Sequence, residues 1–278
     1  MSINWFPGHM VKARREIEEN IKLVDIVVML LDARAPYSCR NPELEKIAAR
    51  KKVIFVLNKM DLSDQKQMRK HMTSLRAEGF VVAAMDSLSG KGQREVLQAI
   101  STSYQPLADA MLQKGRRVRP ARVMVVGVPN IGKSTFLNSL VGRKMAATGA
   151  KPGVTRGKQW LRIREDIEFM DTPGLMWPKV GSEEQGYKLA LLDIVGDKAY
   201  SEYDVALYLI NWFLANQPTV LTDKFKISDK SPAPELVMEN IARHRGYLVK
   251  GGEPDLEKTC KLLIQDFRKG KLGPINLD

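Results

Sequence analysis

GVPNIGKS, from Gly127 to Ser134, lies between an apolar run and a stretch of helix-forming residues. It fits the pattern G-x-x-x-x-G-K-[ST], in which a loop between a strand and a helix surrounds phosphate groups with backbone N–H donors. Gly127 and Gly132 permit the close backbone approach, and the positive end of the following helix favours an anion. Because a chain of this length matches the pattern by chance only roughly 1% of the time, we predict a phosphate-binding loop.

The residues that follow the second glycine of this loop have separate predicted roles. Lys133 is expected to bridge the β and γ phosphates of a nucleotide, and Ser134 to offer its hydroxyl to Mg²⁺. The neighbouring positions Asn130, Ile131 and Thr135 complete the nucleotide-binding residues predicted for this segment.

NKMD, from Asn58 to Asp61, ends an earlier apolar run and predicts recognition of guanine. A carboxylate at Asp61 can accept from the N1–H and the exocyclic amine of guanine, a pair of donors that adenine does not present. Asn58 can meet the other edge of the base, and the Lys59 stem can pack along the ring. Asp86 and Ser87 end the next strand, where a loop backbone can contact the guanine carbonyl.

Two further motifs predict the residues that respond to the γ-phosphate. In DTPG, Asp171 can hold Mg²⁺ through water and the Gly174 N–H can meet the γ-phosphate. Thr155, in KPGVTRGK, is the better candidate for a threonine that closes on Mg²⁺, and Thr148 is the weaker one.

The order of these motifs is unusual, because the guanine motif precedes the phosphate loop. The same nucleotide site is therefore expected to form from a rotated chain. Apolar runs alternate with helix-capable stretches, which favours a parallel α/β sheet followed by one hairpin. The predicted strands are residues 24–32, 52–58, 80–85 and 121–127, with the hairpin strands 158–164 and 166–171.

Helix boundaries follow from capping residues and apolar spacing. Asn41-Pro42 is expected to open a helix over 42–50, and Ser63 to cap a helix over 64–78. A later helix is expected to end near Tyr104, so that residues 105–120 form a connection. In the remainder of the chain, helical patterns cover 183–217, 233–245 and 255–268.

These patterns predict an α/β, circularly permuted P-loop GTPase domain over residues 1–178 and an all-α domain over residues 179–278. The net charge of +12 indicates a polyanionic partner, although charge alone does not separate RNA, DNA, acidic protein and anionic lipid. Cys39 and Cys260 are too few and too far apart to indicate a disulfide framework or a metal site, and no secretory signal or membrane span is recognisable. We therefore expect a cytoplasmic protein with no membrane partner.

The motifs together resemble those of the ribosome biogenesis GTPase A family, which belongs to the circularly permuted GTPases of the translation-factor class. The resemblance extends over nearly the whole chain and rests on WFPGHM at Trp5–Met10, DAR at Asp32–Arg34, NKMD, GVPNIGKS, PGVT and DTPG in that order. It implies GTP and GDP as ligands, Mg²⁺ as cofactor, and a role in late assembly of the large (50S) ribosomal subunit. It further implies a cytoplasmic location and contact with rRNA, and not with DNA.

The resemblance also bears on hydrolysis. Leu175 occupies the position at which Ras-like proteins carry a water-orienting glutamine, so turnover is expected to be slow without the ribosomal subunit. His9 can handle a proton near pH 7 and is one candidate to position the water; the alternative is an arm that only docks. Asn130 resembles the loop residue of K⁺-dependent GTPases, and the alternative is a simple turn residue.

Basic runs in the second domain admit more than one interpretation. HRGYLVKGG at His244–Gly252 and FRKGKLG at Phe267–Gly273 could be solvated surface or rRNA contacts, and the family resemblance favours rRNA. Two other classes stay open: a nucleotide-gated switch that binds protein or membrane without RNA, and a nucleotide-driven enzyme acting on RNA. Trp212-Phe213 is expected to belong to the core.

Overall fold

A computed structural model describes residues 7–141, 160–170, 175, 180–227 and 233–278, without the side chains of residues 7–10 and 198. The chain divides into two compact units. One contains Phe6–Pro178 and Asp278, and the other contains Met1–Trp5 and Lys179–Leu277.

The first unit is built on a six-stranded sheet with the strand order β3-β2-β1-β4-β6-β5. Every pairing is parallel except that of β5 with β6, which form an antiparallel hairpin at one edge. The strands are β1 (Ile26–Asp32), β2 (Lys52–Asn58), β3 (Val81–Met85), β4 (Ala121–Val126), β5 (Trp160–Arg164) and β6 (Ile167–Met170).

Burial explains the central place of β1. All its residues, IVVMLLD, are buried, as expected for a strand covered on both faces of a parallel sheet. The chain runs from β1 outward to β2 and β3, and then returns to the other side of β1 as β4. This reversal places a topological switch point between β1 and β4, the position where α/β sheets bind ligands at their carboxyl ends.

The connections in the first unit are mostly helical. Asn41 opens one of these helices as predicted, because its side chain accepts from the N–H groups of Glu43 and Leu44. The helices are α1 (Pro7–Asn20), α2 (Pro42–Ala48), α3 (Gln65–Ala77), α4 (Gln93–Gln113) and α5 (Lys133–Val141), with short 3₁₀ helices at Ile21–Leu23 and Met60–Leu62.

The predicted end of α4 near Tyr104 is wrong, because the helix continues through Pro106 to Gln113. Proline removes a hydrogen bond to the carbonyl four residues earlier. Here that residue is Thr102, which is exposed, so water can satisfy the carbonyl. Tyr104 and Ala108 are buried and continue the apolar stripe of the helix, so tertiary packing outweighs the break. The connection is thereby reduced to residues 114–120.

The cap predicted for α3 is also wrong. Asp64, and not Ser63, accepts from the Gln67 N–H at the start of the helix. Ser63 is fully buried and its hydroxyl donates to the Ala33 carbonyl at 3.0 Å, so it ties the loop to the end of β1.

The second unit is helical in its described residues. The single helical stretch predicted over 183–217 is interrupted, since Asp193 adopts a left-handed φ of 64° and Ser201 caps a new helix. A helix beginning at Pro218 was not predicted. The helices are α6 (Glu183–Leu191), a 3₁₀ turn at Asp197–Ala199, α7 (Glu202–Asn216), α8 (Pro218–Phe225), α9 (Pro234–His244) and α10 (Leu256–Arg268).

The core of the second unit follows from the apolar stripes of its helices. Phe213 is fully buried as predicted, whereas Trp212 is half-buried. In α10, Cys260, Leu263 and Phe267 are buried on one face. Across the described residues, no helix is both long enough and apolar enough to cross a membrane.

Candidate functional site

The guanine motif and the phosphate loop meet at the carboxyl edge of the sheet. Asp32, at the end of β1, is aligned with Asn58 at the end of β2, and Asn58 is aligned with Met85 at the end of β3. On the other side of β1, β4 ends at Val126, directly before Gly127. Parallel strands end at one edge, so segments far apart in sequence are brought together here.

The phosphate loop has the backbone that its sequence requires. Asn130 and Gly132 adopt left-handed φ values of 55° and 100°, and α5 begins at Lys133. The Lys133 Nζ donates to the carbonyls of Gly127 at 3.3 Å and Val128 at 3.0 Å. The ammonium is thus held against the loop whose N–H groups would surround the phosphates.

Asn58 joins the guanine motif to the phosphate loop. Its Nδ2 donates to the Ile131 carbonyl at 3.0 Å, and its Oδ1 accepts from the Ser87 hydroxyl at 2.7 Å. All three residues are buried. A Cβ on Gly132 would lie only 2.7 Å from the Asn58 Nδ2, so the approach is as close as a glycine allows. The amide therefore holds together the three loops that the sequence assigned to one nucleotide; direct contact of Asn58 with the base stays a prediction.

A charged group behind the guanine motif fixes the position of Lys59. Asp32 and Arg34 form a fully buried ion pair, with the guanidinium Nε and Nη2 each 2.9 Å from a carboxylate oxygen. The Lys59 Nζ lies 3.1 Å from the Asp32 Oδ2. Burial alone would raise the pKa of Asp32, but Arg34 and Lys59 outweigh it and hold this pKa well below its usual value.

This pairing supports an uncommon backbone conformation. Lys59 has a φ of 57°, which few residues other than glycine, asparagine and aspartate adopt readily. The ion pair to Asp32 stabilises that conformation directly before the short 3₁₀ helix Met60–Leu62, which contains Asp61. Sequence reasoning assigned no site role to Asp32 or Arg34. The available signal was an aspartate at the end of a continuous apolar run, where an unpaired charge would be costly.

Asp61 and Asp86 face different surroundings. Burial raises the pKa of Asp61, and the nearby carboxylates of Asp86 and Asp32 raise it further. Burial also acts on Asp86, but hydrogen bonds from Ser89 and from the Leu88 N–H at 2.9 Å lower its pKa overall. The Asp86 carboxylate therefore accepts hydrogen bonds within its own loop. The Asp61 carboxylate, in contrast, would be stabilised by the two N–H donors of guanine.

Leu175 is held by its backbone at the edge of the phosphate loop. Its N–H donates to the Gly127 carbonyl at 3.2 Å, and its carbonyl accepts from the Asn41 Nδ2 at 2.8 Å. The side chain is only 3% exposed. A buried aliphatic side chain cannot orient a water, which agrees with the expectation that another group does so.

The predicted Mg²⁺ ligands are described only in part. Ser134 lies exposed in the first turn of α5, beside Lys133, where its hydroxyl can reach a nucleotide-bound cation. With the threonine hydroxyl and the carboxylate predicted from the sequence, it would complete an all-oxygen donor set, the kind that Mg²⁺ prefers. Thr155, Asp171, Gly174 and the rival Thr148 lie outside the described residues, as does the His9 side chain, although His9 belongs to α1.

Comparison with known proteins agrees with this geometry. Residues 122–240 match the family described as "50S ribosome-binding GTPase". That match begins at β4 and leaves out the guanine motif at residues 58–61, as expected if the motif order is rotated.

Similarity to individual proteins extends along the entire chain. A "Ribosome biogenesis GTPase A" of Priestia megaterium is 38% identical, over 100% of this chain and 97% of the relative. The crystal structure of GNP-bound YlqF from T. maritima superposes with a TM-score of 0.68 at 28% identity, covering 96% of this chain and 97% of that one. A GDP-bound YlqF structure gives a TM-score of 0.70 at 26% identity, covering 95% and 98%.

These similarities confirm the predicted fold class, a circularly permuted P-loop GTPase domain followed by a C-terminal all-α domain. They also confirm the resemblance noted from the motifs. With 38% identity over its full length to a named member, the chain belongs to the ribosome biogenesis GTPase A family.

Proposed function

We propose that the protein is a GTP-hydrolysing assembly factor that acts in late maturation of the large (50S) ribosomal subunit. Its GTP-bound form binds the immature subunit through rRNA in the cytoplasm. The observation that carries this proposal is the hydrogen bond from Asn58 to Ile131, which unites guanine motif and phosphate loop in a chain similar along its length to Ribosome biogenesis GTPase A. The net charge of +12 supports an RNA partner.

The residues divide the work on GTP between them. Asp61 reads the base, the phosphate-loop backbone surrounds the phosphates, and Lys133 neutralises their charge during transfer to water. Ser134, Thr155 and Asp171 would hold Mg²⁺, which when bound withdraws charge from the phosphate oxygens. The Gly174 N–H is proposed to sense the γ-phosphate. Loss of that contact on hydrolysis would release the segment that leads into the second unit.

Positioning of the attacking water needs a residue other than Leu175. We propose His9 for this role, because an imidazole can accept a proton near neutral pH and α1 belongs to the same unit as the nucleotide site. The ribosomal subunit would bring the histidine and the water together, so turnover would be slow in its absence.

Replacement of His9 by Ala is expected to lower subunit-stimulated GTP turnover about a hundredfold, in the range that general acid–base catalysis contributes. GTP affinity should stay at the wild-type value, because no base- or phosphate-recognition motif is touched. Single-turnover hydrolysis with and without large subunits measures the first quantity, and titration with a fluorescent GTP analogue measures the second. Unchanged stimulated turnover would remove His9 from the mechanism.

We propose that a monovalent cation binds beside Asn130 and assists the hydrolysis of GTP. This residue belongs to the phosphate loop, where it is exposed and has a left-handed backbone. We expect turnover to rise several-fold when K⁺ replaces Na⁺ at equal ionic strength, since a nearby cation supplies charge in the transition state. Asn130→Ala should remove the difference. Equal wild-type rates in the two salts would rule out this role.

The helical unit is proposed to contribute rRNA contacts. Arg243, His244 and Lys250 are exposed around the end of α9 and the following turn. Lys269 and Lys271 are exposed after α10, although Lys271 also lies 3.4 Å from Asp266. Guanidinium and ammonium groups of this kind bind phosphates without reading sequence.

Co-sedimentation with immature large subunits tests the proposal as a whole. Binding is expected with a non-hydrolysable GTP analogue, should be lost with GDP, and should weaken steeply as salt is raised. Equal pelleting with both nucleotides would contradict the gated function. Binding that depends on nucleotide but not on salt would instead favour a switch that docks on protein or membrane without RNA.

A further inference from the structure

The edge of the sheet opposite the nucleotide site is rich in exposed basic residues. The parallel strands begin there, with Ile26 aligned to Lys52 and Ala121 aligned to Ile167. Exposed basic side chains surround these strand starts and the end of the β5–β6 hairpin. We call this set the basic edge: Lys22, Arg50, Lys52, Lys114, Arg116, Arg117 and Arg162. None of them forms an ion pair with another described residue, although the Arg162 Nη2 donates to the Glu165 carbonyl at 2.9 Å.

An open cavity of about 730 Å³ lies within the basic edge. Arg117 and Arg162 line it from two different segments, the connection after α4 and the hairpin strand β5. Two acidic residues also line the cavity: Asp166 pairs with Arg164 at 3.0 Å, whereas the Glu165 carboxylate forms no ion pair with another described residue. Arg117 and the remaining N–H donors of Arg162 are therefore left to bind an external anion.

The connection after α4, which carries Arg116 and Arg117, is fixed in place. Arg119 makes two contacts with the Asp25 carboxylate, at 2.7 and 2.8 Å, and Asp25 also accepts from the Arg122 N–H at 2.9 Å. The Tyr104 hydroxyl donates to the Arg119 carbonyl at 2.9 Å. Arg116 and Arg117 thus lie directly before an anchored stretch of backbone. This anchoring reduces the conformational entropy that they lose on binding a ligand.

The chemistry of the basic edge fits a row of phosphodiesters better than a single small anion. Basic groups extend from the cavity along several strand starts, and arginine forks match phosphate oxygens. The cavity-lining residues include no aromatic side chain on which a base could stack. Recognition would therefore use the backbone and be independent of sequence.

We propose that the basic edge binds the phosphate backbone of RNA, so that the GTPase unit has its own RNA contact besides that of the helical unit. This inference rests on the proposed function, which supplies RNA as the polyanion. Its location at the amino ends of the strands leaves the nucleotide site at the carboxyl ends open. RNA and GTP can accordingly be bound by one unit at the same time.

The test compares two triple variants of the whole chain by fluorescence anisotropy with a labelled RNA hairpin of arbitrary sequence. Arg116→Ala/Arg117→Ala/Arg162→Ala removes part of the basic edge. The control Lys66→Ala/Arg69→Ala/Lys70→Ala removes the same charge from exposed positions on α3. Binding of GDP by both variants reports that they are folded.

The basic-edge variant is expected to bind the hairpin about tenfold more weakly, and its plot of log affinity against log salt should be shallower by roughly 2. The α3 variant should stay close to wild type. Equal hairpin affinities of the two variants would contradict RNA binding by the basic edge. The proposed RNA binding by the helical unit would be unaffected by that result. No hairpin binding by the wild type would overturn both this inference and the rRNA contact in the proposed function.

Discussion

Replacement of Gly132 by Ala is expected to weaken GDP binding by roughly thirtyfold or more, equivalent to about 2 kcal/mol. The added Cβ would lie 2.7 Å from the Asn58 Nδ2, and the backbone φ of 100° is strained for any residue with a side chain. Relief requires Asn58 to move, which breaks its bond to Ile131 and separates the guanine motif from the phosphate loop. Isothermal titration with GDP in Mg²⁺ measures the loss.

Gly115→Ala is the matched control for this variant. Gly115 also has a positive φ, of 65°, but a Cβ there meets no atom within 4 Å. The Gly115→Ala substitution should lower the free energy of unfolding by about 1 kcal/mol through backbone strain alone, and it should leave GDP affinity unchanged. Wild-type affinity in Gly132→Ala would contradict the role given to the Asn58 junction.

Replacement of Asp32 by Ala is expected to lower the free energy of unfolding by about 3–5 kcal/mol, because it leaves the Arg34 guanidinium buried without its carboxylate. Lys59 would lose its ion pair at 3.1 Å and with it the support for its left-handed backbone. The guanine motif should then be held less firmly, so GDP affinity should fall as well. Urea denaturation without nucleotide measures the first effect, and GDP titration of the folded fraction measures the second.

Asp166→Ala provides the comparison for a surface pair. Asp166 and Arg164 are half-exposed and lie 3.0 Å apart, so removal of this carboxylate should change stability by no more than about 1 kcal/mol. A small effect at Asp32, similar to that at Asp166, would show that the buried pair does not support the site as inferred.

The strands of the sheet and the parallel direction of most of them follow from the sequence. Val- and Ile-rich runs predict strands, and each run ends at a residue that cannot continue a buried strand, such as Asn58 or Gly127. Because parallel strands end together, the motifs at those ends had to converge whatever their order along the chain. Local pattern and strand direction were therefore sufficient to predict that the motifs share one edge, whereas the order of the strands was seen only in the structure.

Features that depend on tertiary burial were harder to predict. Pro106 is a local signal for a helix end, yet Tyr104 and Ala108 are buried on the same stripe and keep α4 intact. Ser63 is a good cap by residue type, but its hydroxyl is used by the Ala33 carbonyl. In both cases a long-range contact, absent from any local window of sequence, outweighs the local preference.

The candidate site shows the same division. Lys133, Ser134 and Asp61 belong to motifs whose residue types and spacing predict their chemical roles. The additional role of Asn58 as a junction depends on how closely Gly132 approaches it, which only the folded arrangement reveals. The support that Asp32 and Arg34 give to Lys59 is likewise a product of burial, since the same pair on a surface would contribute little.

Assembly of one guanine-nucleotide site from two motifs in rotated order is tested most directly by comparing GDP and ADP in titrations of the wild-type chain with Mg²⁺. A site that pairs the N1–H and amine of guanine with Asp61, and holds the phosphates at residues 127–134, should prefer GDP at least about a hundredfold. Asp61→Ala should bind both nucleotides with nearly equal, weak affinity. Equal binding of GDP and ADP by the wild type would contradict the assembled site.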